Sequence, residues 1–140
     1  MNRKWFSIAV LAVAAVALLN LSSCARSQKL VGITVTPSGS TITQNFGQVV
    51  STQFTALGSY IHPPETKDVT SKAVWTTNSP SIIAVDPNTP GLINTTGQGC
   101  GTNLGVTASI YSDPSNPSAG SVIVGTATIS VSFGNSGSGC

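Results

Sequence analysis

The stretch VIVGTATISVSF (122–133) alternates with a period of two. Ala127, Ile129, Val131 and Phe133 are interleaved with Thr128, Ser130 and Ser132. Successive side chains of an extended chain point to opposite faces, so this stretch makes a strand with one apolar and one hydroxyl-bearing face. The same alternation recurs upstream. LGVTASIY sets Leu104, Val106, Ala108 and Ile110 on one side, and LVGITVTP sets Ile33 and Val35 against Thr34 and Thr36 before stopping at Pro37. VVSTQFTALGSY aligns Val50, Thr52, Phe54 and Ala56, KAVWTT centres on Trp75, SIIAVD aligns Ile83 with Val85, and GLINTT follows Gly91. Turn residues separate these runs, β-branched residues dominate them, and none carries a helical 3.6 period.

Seven such runs predict an all-β domain. Seven antiparallel strands with one apolar face each are best satisfied by two sheets packed face to face. At about 100 residues, such a sandwich has the immunoglobulin-like size. The expected core is Trp75, Phe54, Ile83, Val85 and Val106, with Trp75 at its centre as the largest apolar side chain of the domain.

The N-terminal segment has a different character. Arg3 and Lys4 precede an uninterrupted apolar run from Ile8 to Leu19. That length suits an export signal and falls short of the roughly 20 residues of a spanning helix. The run ends in Leu21-Ser22-Ser23-Cys24, which resembles the lipobox of bacterial lipoproteins. The resemblance implies a signal peptide over 1–23, cleavage before Cys24, and acylation of its thiol. The protein would then be held at a bacterial cell envelope, with the lipid on Cys24 giving it a membrane partner. Ala25 stands where an Asp would favour inner-membrane retention, so in a cell with two membranes the resemblance points to the outer one. The alternative is a plain secreted protein with an incidental Cys24. Residues 24–29 form a polar tether. The five residues after Cys24 reach at most about 18 Å, which would keep the domain (30–133) close to its membrane. A Gly/Ser tail ending in a cysteine follows over 134–140.

Beyond residue 23, four basic residues (Arg26, Lys29, Lys67, Lys72) balance four acidic ones (Glu65, Asp68, Asp86, Asp113). A net charge of zero without basic clusters argues against a nucleic-acid partner. Charged residues are only 7% of the chain, against about 25% in typical domains, so Ser, Thr, Asn and Gln must cover the surface.

DVTSKAVWTTNSPSIIAVD (68–86) resembles the centre of bacterial immunoglobulin-like group 2 domains. In that family an Asp-Val-Thr leads into a strand with a Trp, and a Ser/Asn/Pro turn leads into a strand ending in Val-Asp. ITVTPSGSTITQNFGQVVSTQFTALG and GLINTTGQGCGTNLGVTAS resemble the family's opening strands and its Gly-rich return. The resemblance spans about residues 30–132 and implies a cell-surface or adhesive role, on a single copy here because the sequence has no internal repeat. It departs from the pattern at YIHPPETK and SDPSNPSAG, two enlarged loops, and at Cys100.

If Cys24 is acylated, Cys100 and Cys140 are left to pair. An antiparallel hairpin of 104–111 with 122–133 would set Cys100 near Phe133, and the tail can reach back. Free thiols, or pairing of Cys140 with another chain, are the alternatives.

No residue set suggests catalysis. His62 is the single histidine, and no nucleophile-elbow motif is present, so a hydrolase built on His62 is the weakest reading. No metal or cofactor is expected, since three or more suitably spaced ligands are lacking. Four scattered acids do not suggest a calcium cage. In an immunoglobulin-like sandwich the loops 60–70 and 112–120 emerge at the same end. That makes Tyr60, Ile61, His62, Tyr111 and Asp113 the binding-loop candidates. The expected function is a non-catalytic, lipid-anchored envelope module that binds a protein or glycan or supports envelope structure. An accessory subunit of an envelope complex is the alternative.

Overall fold

The computed structural model describes residues 28–112, 120–134 and 140. These residues are all-β, with no helix among them and ten strands. They are β1 (Lys29–Thr36), β2 (Ser40–Gln44), β3 (Ser51–Gln53), β4 (Thr55–Ile61), β5 (Glu65–Asp68), β6 (Val74–Thr77), β7 (Ile83–Val85), β8 (Leu92–Thr95), β9 (Gly101–Tyr111) and β10 (Val122–Phe133).

Three sheets enclose one core in a sandwich-like arrangement. One runs β2-β10-β9-β6, and two three-stranded sheets run β1-β4-β5 and β3-β8-β7. The two smaller sheets are joined through a single residue, Phe54, which lies between β3 and β4. Its N–H leaves the ladder and donates to the Gly91 carbonyl at 2.8 Å. Gly91 has φ +78°, and a Cβ there would stand 2.3 Å from the Phe54 carbonyl oxygen, so only glycine fits. Elsewhere Gly125 of β10 lets β1 approach, since a Cβ would meet the Ile33 carbonyl oxygen at 2.5 Å.

Ten strands replace the expected seven for three local reasons. The run over 49–60 is two strands, because the chain changes sheet at Phe54. Ser40–Gln44 is a strand that pairs parallel with β10, from Ser40 beside Ile129 to Gln44 beside Phe133. The sandwich is therefore not wholly antiparallel. Finally, Glu65–Asp68 pairs antiparallel with β4, Tyr60 opposite Glu65 and Leu57 opposite Asp68. The expected loop over 60–70 is thus largely a hairpin, with a turn at 62–64. Every residue of β5 is exposed, so no apolar side chain marks it as a strand.

Phe54, Ile83, Ile93, Val106, Ile129 and Val131 are wholly or almost wholly buried. Trp75 is buried too, and its indole Nε1–H donates to the Thr70 carbonyl at 3.0 Å. Phe54, at the junction of the two smaller sheets, is fully buried in the same core cluster as Trp75. Val85 is half-buried and packs against the core from outside, because β7 is an edge strand.

Cys100 and Cys140 form a disulfide with their Cα atoms 5.7 Å apart. The β9–β10 register explains it: Gly101 stands opposite Val131, so Cys100 enters β9 beside the end of β10.

Candidate functional site

The site begins with the hairpin. β4 and β5 meet at a turn in which His62 adopts φ +65°, a conformation that His tolerates better than most residues. The hairpin's charged groups face one another. Lys67 Nζ lies 3.0 Å from Glu65 Oε2 and donates to Gln28 Oε1 at 2.7 Å. The Gln28 amide in turn donates to Glu65 at 2.8 Å, and Lys67 stands 5.5 Å from the centre of the Tyr60 ring. The Gln28 amide first, and the Lys67 ammonium with it, hold the Glu65 carboxyl below its ordinary value.

Beside this network lies a groove of about 350 Å³, lined by both tyrosines. Gln28, Leu30, Lys72, Val74 and Ser109 line it with them. Register explains the meeting. Leu30 stands opposite Tyr60 at the start of β1, Tyr111 opposite Val122 at the start of β10, and Val74 opposite Ser109. Residues 28, 60 and 111 therefore reach the same end of the sandwich from three different strand ends.

Of the candidates, Tyr60 is half-buried against the core and Tyr111 is 45% exposed. Ile61 and His62 are exposed on the hairpin tip and do not line the groove. Asp113 and Cys24 lie outside the described residues. The sequence singled out neither Leu30, Lys72, Val74 nor Ser109 as a site residue. Their spacing to the tyrosines is set by strand pairing, which only the register reveals.

The groove offers apolar surface, two phenols, hydroxyls, an amide and an ammonium. It can hold a ligand by contact and hydrogen bonding. His62 makes no hydrogen bond to an acid or nucleophile among the described residues, and no group of three His, Cys, Asp or Glu side chains gathers there. Asp86 serves its own loop. Its carboxylate accepts from the backbone N–H groups of Asn88 at 2.9 Å and Thr89 at 2.8 Å, and the first of these bonds chiefly holds its carboxyl below the ordinary range.

No known protein-family description matches this chain, and no curated protein matches it.

Proposed function

We propose that the chain is a non-catalytic, immunoglobulin-like module of the group 2 type. It is held at the bacterial cell envelope by lipid on Cys24, and it binds through the groove between Tyr60 and Tyr111. The observation that carries the binding role is the convergence of both tyrosines, from strands far apart in sequence, on one groove. The immunoglobulin-like reading draws support from the pairing order. A four-stranded layer with an outer parallel strand, β2-β10-β9-β6, faces strands that run β1-β4 and β3-β8-β7 through a shared segment. The anchoring reading draws support from the thiol's position directly behind an apolar run.

The test is the mass of the mature protein isolated from cell membranes. The expected N-terminus is Cys24 carrying a thioether-linked diacylglyceryl group, and Cys24→Ser should move the protein out of the membrane fraction. A mature chain with a free Cys24 thiol, or cleaved elsewhere, overturns the anchoring.

A further inference from the structure

We infer that the end of the sandwich carrying the groove rests on the bilayer, so that the surface around Tyr60 and Tyr111 is occupied by lipid. The inference depends on the acylation of Cys24 proposed above.

The first support is where the chain enters the domain. Gln28 lines the groove itself, and Lys29 pairs with Ile61 at the tip of the β4–β5 hairpin. Cys24 is four residues before Gln28. Four extended residues reach at most about 14 Å. An acyl chain on Cys24 therefore brings this end of the domain to the headgroup layer. A ligand arriving from the medium would meet the opposite end first.

The second support is a gradient along the outer face of the four-stranded sheet. Strand register arranges that face in rows. At the groove end, Tyr111 is beside Val122, and the next row reads Val74, Ser109, Val124. Val74, Val122 and Val124 are each at least half exposed. The following row is Thr76, Thr107, Thr126, and the one after it sets Gly105 beside Thr128. β6 and β10 change from valine to threonine at the same level, and β9 changes from Tyr111 to Ser109 one row nearer the groove end. Isolated exposed valines need no explanation, but a boundary shared by β6 and β10, with β9 within one row of it, does. A planar apolar–aqueous boundary lying across one end of the domain accounts for it. Ile61 extends the apolar surface on the hairpin tip.

The third support is the side-chain chemistry. Tyrosine suits the headgroup level, with an apolar ring and a polar tip. Lys67 is paired with Glu65, which leaves Lys29 and Lys72 at this end among the described residues, fewer than the roughly four to eight cations of a polybasic patch. Contact is therefore carried by apolar burial and should depend little on salt or on anionic lipid.

The experiment uses the acylated mature protein, isolated from cells and reconstituted into vesicles of phosphatidylethanolamine and phosphatidylglycerol with brominated acyl chains. Tyr111→Trp and Val122→Trp place independent indoles at the groove end, so one serves if the other fails to fold. Phe46→Trp places one at the far end, where Phe46 is 78% exposed. The readout is emission in excess of the parent protein. Emission from positions 111 and 122 should shift to shorter wavelength and be quenched, with that from position 46 unchanged, and high salt should leave the pattern intact. Vesicle-bound protein whose indoles at 111 and 122 are not quenched overturns the inference while leaving the anchor standing. It would assign the groove to a soluble ligand or a second protein. Failure to associate with vesicles, with an unmodified Cys24, overturns anchor and orientation together.

Discussion

Where β9 begins, a covalent bridge joins Cys100 to Cys140, and the side chain of Gln44 is buried with its amide donating to the Gly99 carbonyl at 2.7 Å. The Gln44 carbonyl accepts from Gly134, and Gly47 donates to Gly97, so backbone bonds tie the adjoining loops together. Where β9 ends, Tyr111 and Ser112 border a groove, and the neighbouring hairpin is a short backbone ladder whose side chains are exposed, with one surface ion pair across it. The first end is braced by groups that are costly to break; the second offers surface. A contact surface keeps its shape only if the rest of the sandwich is fixed.

Three perturbations should separate the two ends, in descending size. Replacing Cys100 and Cys140 together by alanine reopens a loop of 40 residues. The loop-entropy relation sets the loss at up to about 4 kcal/mol, a large share of a small domain's stability. Denaturant unfolding under oxidising conditions measures it; an unchanged midpoint would mean that the bracing is not covalent. Next is Gln44→Leu, which keeps the volume but strips the Gly99 carbonyl of its donor at a site 1% exposed. The loss should be roughly 1–3 kcal/mol by the same measurement, reduced because Gln44 Oε1 is itself buried without a partner.

The smallest effect belongs to the groove end and to pH. The folded state holds Glu65 below its ordinary value of 4.5, so the unfolded chain takes up the proton first. The resulting stabilisation is present above 4.5 and is lost as pH falls below it. Thermal melts across that range should show Glu65→Gln with a slightly shallower acid dependence than the parent. Exposure on β5 keeps the effect small. An acid dependence dominated by Glu65 would contradict the picture of a lightly held hairpin.

Much of the fold was legible because alternation is a local signal. β10 lies where the alternation sets it, over 122–133, and β9 carries the alternation from Leu104 but begins three residues earlier, at Gly101. The Cys100–Cys140 bridge followed from the same hairpin. β2 was hidden because Ser40–Gln44 offers only Ile42 as an apolar marker, and its partner lies at the other end of the chain. β5 was hidden because it buries nothing. Trp75 drew attention by size, yet size does not say which residue lies where two sheets join; that place went to Phe54, whose departure from the ladder depends on Gly91 far along the chain. At the site, the tyrosines were legible as residues flanking long loops. Their neighbours Leu30, Lys72 and Val74 were not, because strand register brings them together.

The parallel pairing of β2 with β10 also governs when the molecule can be completed. Ser40 waits for Ile129, and Gln44 for Phe133. A chain delivered N-terminus first has an early strand whose partner is still to emerge. Long-range pairings of this kind fold slowly. The four-stranded layer can close only after almost the whole domain has been delivered, so nascent chains should expose the edge of β10's future neighbour until the last moment.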